Sequence, residues 1–332
     1  MTIEALSLSR LEVIMVHRFV RGFICACAAL ALPAIAAASR LTYGVFLDGS
    51  AIGPNGVAAS RVAAPLPDGG TVLALSQRRD VTPSTYTYDV EVLRIPATGL
   101  GVDKLLTVSG AMATGISAGP DGAVYITSAA YAAGGALSGY VTKLGPDATL
   151  VYTSRIAGQP AAVTADGSGA AYVTGVAPAG SQATATAGTK PCVPAECAFV
   201  VKIGADGRPL STTLIGGSGA SRGSAIALDG KGGVYVAGET LAPDFPVTSG
   251  AHQAVYGGSE SGGPGDGFLV HLGSGPQTLL YGTYPGGSRG DRVTGIAVDT
   301  ADSVYLIGST ASDDFPITST AAQRAFGGCA EC

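Results

Sequence analysis

The chain copies itself. One segment begins at Gly216-Gly-Ser and passes through Ala225-Ile-Ala-Leu-Asp229, Val234-Tyr-Val-Ala-Gly238 and Asp244-Phe-Pro-Val-Thr-Ser249 to Gly257-Gly258. Seventy residues on, Gly286-Gly-Ser, Gly295-Ile-Ala-Val-Asp299, Val304-Tyr-Leu-Ile-Gly308 and Asp314-Phe-Pro-Ile-Thr-Ser319 repeat it without a gap, with 20 of 43 positions identical. Fainter copies lie upstream at Val163 to Gly175, Ile116 to Thr127 and Val62 to Leu75. Repetition at this period means stacked supersecondary units, because one small unit cannot bury its own apolar faces.

Each unit is expected to hold four short strands. The repeated motif supplies two. A third recurs at Val90 to Ile95, Tyr140 to Leu144, Phe199 to Ile203 and Phe268 to Leu272. A fourth recurs at Leu105 to Val108, Leu150 to Thr153, Leu210 to Leu214 and Leu279 to Thr283. Val, Ile, Tyr and Thr dominate these runs, as pleated half-buried surfaces favour. Pro-Asp-Gly, Asp-Gly and Gly-Gly supply the turns. A tyrosine marks the second strand at Tyr125, Tyr172, Tyr235 and Tyr305, with Val72 in its place in the first unit. The expected fold is all-β, a propeller of four-stranded blades with about five units visible and the last incomplete. A β-helix is the second architecture, and its shorter rungs fit the spacing less well.

These residues resemble the bacterial SBBP-type β-propeller repeat family. The resemblance rests on Leu-Tyr-x-Thr-Tyr-x-Gly-Gly-Ser, Gly-Ile-Ala-Val-Asp, Val-Tyr-x-x-Gly-x-Thr and Asp-Phe-Pro-x-Thr, best preserved from Leu280 to Gly328. It implies a propeller in an exported or surface protein and leaves the activity open.

Composition narrows the class. Glycine numbers 50 of 332 residues, and charged residues make up 13%. The Glu, Lys and Leu richness of a coiled coil is missing, and 46% hydrophobic content excludes disorder. A net charge of −5 and a pI near 5.2 argue against a nucleic-acid partner.

Residues 1–38 are read as a secretory signal peptide: Arg18 and Arg21, an apolar run from Gly22, and small residues ending at Ala36 or Ala38. Glu4 is out of place in such a leader, so Met15 is read as the true start. An uncleaved anchor is the alternative. The run is short for a span of about 20 residues and contains Pro33, so no membrane span is expected after cleavage. Residues 39–332 form the repeats, in a secreted, periplasmic or cell-surface protein. The last unit stops before a third strand. The chain is therefore read as the front of a longer protein, with Leu41 to Leu47 as a closing strand and the last blade's second strand left as an open edge. Export makes disulfides Cys192–Cys197 and Cys329–Cys332 the expected pairing, with zinc as the alternative.

The candidate chemistry is sparse. Asp121, Asp166, Asp229 and Asp299, with Asp68, recur at the turn between the first two strands. They are either calcium ligands, calcium being the one cofactor considered, or carboxylates that bond their own turn. Asp244-Phe245-Pro246 and Asp314-Phe315-Pro316 are expected to brace loops, each phenylalanine acting as an apolar plug. Thr248 to Val255 and Thr318 to Ala325 are each expected to form one capped helical turn. Gly219 to Gly223 and Gly286 to Gly290 match the G-x-S-x-G pattern, but Ser221 and Ser288 fall at different offsets and carry no expectation of hydrolysis. Arg289-Gly-Asp291 reads as a chance adhesion tripeptide. His271 stands where sister units have Lys143 and Lys202, and reads as an exposed strand residue. No unit shows a distinct polar constellation, and no catalytic residue is assigned. The expected function is a non-catalytic binding or scaffold module that engages a protein or polysaccharide through loops on one face. A propeller-type polysaccharide lyase or hydrolase, and a structural spacer, are the alternatives.

Overall fold

A computed structural model describes residues 11–15, 58–82, 85–99, 101–131, 137–181, 195–258, 265–274 and 278–327. The described residues are all strand, turn and loop. Four sheets have four antiparallel strands in chain order. The first blade is β2 (Ala58–Pro65), β3 (Thr71–Thr82), β4 (Thr85–Ile95) and β5 (Asp103–Ser109). The second is β6 (Met112–Ala118), β7 (Val124–Tyr131), β8 (Leu137–Leu144) and β9 (Leu150–Ile156). The third is β10 (Gln159–Ala165), β11 (Ala171–Ala177), β12 (Cys197–Ile203) and β13 (Pro209–Ile215). The fourth is β14 (Ser221–Leu228), β15 (Val234–Thr240), β16 (Asp266–Leu272) and β17 (Leu279–Thr283). The fifth holds β18 (Asp291–Val298) and β19 (Val304–Thr310).

The worn first copy is a full blade with the longest hairpin. The fifth differs from the expectation of a bare edge. β1 (Leu11–Met15) runs parallel to β19, from Leu11 opposite Val304 to Met15 opposite Gly308. The third-strand position is thus taken by a parallel strand, where the other blades have an antiparallel one. The suggested closing strand at Leu41 to Leu47 lies outside the described residues.

First strands of successive blades pack in order, β2 on β6, β6 on β10, β10 on β14 and β14 on β18. The apolar clusters lie between blades rather than within them. Ala74, Val90 and Val92 of the first blade meet Ala113, Val124 and Ile126 of the second. Tyr125 and Val141 meet Val163, Val173, Phe199 and Val201. Tyr172, Ala198 and Val200 meet Val236, Phe268 and Val270. Tyr235, Ala237 and Leu269 meet Val293, Val304 and Leu306. Each fully buried aliphatic side chain contributes roughly 1.5–3 kcal/mol, so neighbouring blades stabilise one another through these clusters.

The antiparallel order gives the stack two unlike faces. One carries the tight turns joining first to second and third to fourth strands. At the other, second strands end and third strands begin, with the described stretch 241–258 leaving β15. Among the described residues, no helix is long and apolar enough to cross a membrane.

Candidate functional site

On the tight-turn face each aspartate serves its own turn. Asp68, Asp121, Asp166, Asp229 and Asp299 each accept through Oδ1 from the amide two residues on, at 2.7–3.1 Å. The second oxygen of Asp68, Asp166, Asp229 and Asp299 meets a strand side chain. Tyr172 and Tyr305 hydroxyls donate to Asp166 and Asp299 Oδ2 at 3.1 and 3.0 Å. Burial raises the Asp166 carboxyl, but bonds from Ser168, the Ala170 amide and Tyr172 outweigh it and hold the group below its ordinary value.

The marker tyrosines occupy equivalent second-strand positions on β7, β11, β15 and β19, buried at Tyr125, Tyr172 and Tyr235 and half-buried at Tyr305. Tyr125 donates to the Gly169 carbonyl of the next blade at 3.0 Å. Lys143 and Lys202, opposite Tyr125 and Tyr172 on the third strand, lie over the rings at 5.1 and 4.9 Å. His271 takes that position in the fourth blade. It is buried rather than exposed, because its imidazole stacks on Tyr235 with centroids 4.0 Å apart. Its Nε2 meets Asp229 Oδ2 at 2.9 Å. The imidazole thus replaces the tyrosine hydroxyl as partner of the turn carboxylate.

On the opposite face the Asp-Phe-Pro loops fasten the segment that leads into the first strand of their own blade. Asp244 Oδ1 accepts from the Ser218 amide and hydroxyl at 2.7 and 2.9 Å. Asp314 does the same with Ser288 at 2.8 and 3.1 Å. Phe245 is buried against Phe268, with centroids 4.7 Å apart. Phe315 is only half-buried, so the plug expected of both phenylalanines holds for Phe245 alone. The helical turns expected after these motifs are single reverse turns, Ala251 to Thr248 and Ala321 to Thr318, each closed by one 3.1 Å bond. Gly250, at φ 92°, takes a backbone conformation that a helix does not use.

Among the described residues, neither serine of the G-x-S-x-G matches meets a histidine. Ser221 is buried against Thr240 at 2.8 Å, and Ser288 is bound to Asp314. Asp291 of the adhesion tripeptide is fully buried, so the loop does not present its carboxylate. Cys197 is buried at the start of β12. Cys192, Cys329 and Cys332 lie outside the described residues, as does the suggested leader apart from β1.

The sequence reading missed one polar constellation. Asp266 opens β16 and Asp291 opens β18, and both side chains are fully buried where the fourth blade meets the fifth. A Cβ added to Gly286 would lie 3.1 Å from Asp266 Oδ1 and 3.0 Å from Asp291 Oδ2, so both carboxyls border one small space. Asp266 Oδ2 accepts from the Gly257 amide at 2.5 Å. Asp291 Oδ2 accepts from the Gly287 amide at 2.7 Å and the Ser312 hydroxyl at 2.9 Å. The Oδ1 atoms of both residues are buried without a hydrogen-bond partner. Burial first, then Asp291 and Asp314, push the Asp266 carboxyl up to about 7 against the pull of the Gly257 amide. Burial also raises Asp291. The sister junction is built differently: Cys197 stands for Asp266, Gly216 for Gly286, and Ser221, closed onto Thr240, for Asp291. Lining up Ser221 with Asp291 and Cys197 with Asp266 would have exposed this break in the repeat.

The family model for the SBBP beta-propeller repeat matches residues 212–246 and 280–316. The chain carries SBBP repeats. The matched segments run from β13 to the first Asp-Phe-Pro loop and from β17 to the second. No curated protein matches. Among solved structures, a protein of unknown function from Bacteroides caccae is similar at 11% identity and a TM-score of 0.31, over 75% of this chain and 85% of that one.

Proposed function

We propose that this SBBP-repeat chain is an exported, non-catalytic binding or scaffold module that engages a protein or polysaccharide through the face bearing the long loops. The asymmetry of the two faces carries this reading. On one side, carboxylates are committed to their own turns. On the other, the described stretch 241–258 connects β15 to β16, and loops that join strands at one end of a sheet stack commonly bind ligands. Val255 projects from this stretch at 75% exposure. Among the described residues, neither histidine ring bonds a hydroxyl or thiol: His271 is held by Asp229, and the contact at His252 is its main-chain amide on Tyr281. A glycan array combined with a panel of purified surface proteins tests the reading. A ligand should bind, Val255→Glu should weaken it at least tenfold, and Arg208→Glu on the tight-turn face should not. Absence of any ligand, or binding lost only with Arg208→Glu, would reject it. N-terminal sequencing of the protein recovered from culture should begin after Ala36 or Ala38.

A further inference from the structure

We propose that Asp266 and Asp291 form an oxygen-donor site for a hard divalent cation of the calcium class, holding the fourth and fifth blades together. A buried carboxylate oxygen without a donor is costly, and the junction contains two. The donors present, the Gly257 and Gly287 amides and the Ser312 hydroxyl, all go to the Oδ2 atoms. The Thr310 hydroxyl lies against Asp291 but makes its contact with the Ser312 carbonyl, while its oxygen accepts from the Ser312 amide.

Among the described residues neither acid forms an ion pair, and a third carboxylate, Asp314, repels both. Asp314 is itself bound by the Ser288 amide and hydroxyl and lies near Arg289. The junction therefore concentrates negative charge: Asp266 Oδ1, which has no donor, and Asp291 Oδ2 border the space at Gly286, and among the described residues no side-chain cation is paired to either acid. A hard cation is the partner such oxygens select, since calcium accepts carboxylate, hydroxyl and carbonyl oxygen together. Among the described residues, no three His, Cys, Asp or Glu side chains gather as a metal site. The two carboxylates must accordingly be completed by neutral oxygens, with the Ser312 and Thr310 hydroxyls beside them. The sister junction, with Cys197 and a closed Ser221–Thr240 pair, offers no such charge. One site per chain follows.

The experiment is calcium binding to the full chain after chelator treatment, at pH 7.5, by equilibrium dialysis and by thermal unfolding. One ion should bind per chain and raise the unfolding temperature. Asp266→Asn and Asp291→Ser should each weaken binding at least tenfold, whereas Asp299→Asn, at a turn, should leave it unchanged. Asp291→Ser restores the residue of the sister blade, so it keeps the test open if Asp266→Asn does not fold. Absence of saturable binding by the unaltered chain overturns the proposal. So does binding that survives Asp291→Ser, or that disappears with Asp299→Asn. Stabilisation by acid with no calcium response would assign the pair to a proton instead, and would also overturn it.

Discussion

Phe245 and Phe315 share one motif but differ in what covers them. Phe245 is buried against Phe268 and Tyr284, because β16 and β17 complete its blade. Among the described residues Phe315 has no antiparallel equivalent of β16 behind it, and it is half-buried. Phe245→Ala is therefore expected to lower stability by about 3–5 kcal/mol, and Phe315→Ala by clearly less, in urea unfolding of the two variants. The motif was legible in the sequence; the difference in burial was not, since it depends on strands outside the motif. Asp266 shows the same limit more sharply. Its identity is plain in the sequence, but its environment comes from a glycine loop twenty residues on. In calcium-free buffer its raised carboxyl makes folding take up a proton. That contribution is complete below the ordinary value of 3.8 and is lost as pH rises through about 7. Turn aspartates such as Asp166, held low, act in the opposite sense: their contribution is present above the ordinary value and is lost as pH falls below it. Comparing urea midpoints of the unaltered chain and Asp266→Asn at pH 4.5, 6 and 8 isolates the Asp266 term. The advantage of the unaltered chain should shrink as pH rises, and a constant difference would contradict the burial argument.

At the scale of the element, the recurring strand pattern was readable because alternation, turn aspartates and marker tyrosines agree with one another. The glycine ending the Val-Tyr-x-x-Gly motif has a reason visible only in the pairing. First strands carry a bulge, between Pro160 and Ala162, Gly223 and Ala225, and Val293 and Gly295. The bulge presses a carbonyl onto the facing strand. A Cβ on Gly175, Gly238 or Gly308 would stand 1.9–2.0 Å from the carbonyl of Gln159, Arg222 or Arg292. No side-chain rotation relieves a clash with main chain. Gly238→Ala should consequently cost about 1–3 kcal/mol by overpacking. Gly167→Ala, at a turn position where an added Cβ meets nothing within 4 Å, should cost less. Chemical denaturation of the two variants side by side gives the comparison. An equal cost would mean that the bulge relaxes freely. His271 was misread at this same scale, because a position on a third strand was judged by the charge of its sisters. In the folded blade that position lies over a tyrosine ring, where Lys143 and His271 are both buried.

The whole molecule depends on how its last blade is finished. The order of the five visible blades could be read from the repeat, because each copy brings its own strands. The partner of β19 could not, because it comes from the other end of the chain. β1 lies within residues 1–38, the segment proposed to be removed on export. In a chain cut to residues 39–332, the main-chain groups of β19 that turn away from β18 lose β1, and among the described residues no other strand faces them, which leaves an edge open to pairing. Ile307 on that strand is 47% exposed and adds apolar surface to the edge. A chain beginning at residue 39 is thus expected to associate as its concentration rises, while the full chain does so less. Light scattering after size exclusion, across a hundredfold range of concentration, measures this. Ile307→Lys should reduce association of the shortened chain without unfolding it, since a lysine on an edge strand stays solvated and opposes edge-to-edge pairing. A shortened chain that remains monomeric throughout would show that β19 is closed by something other than β1.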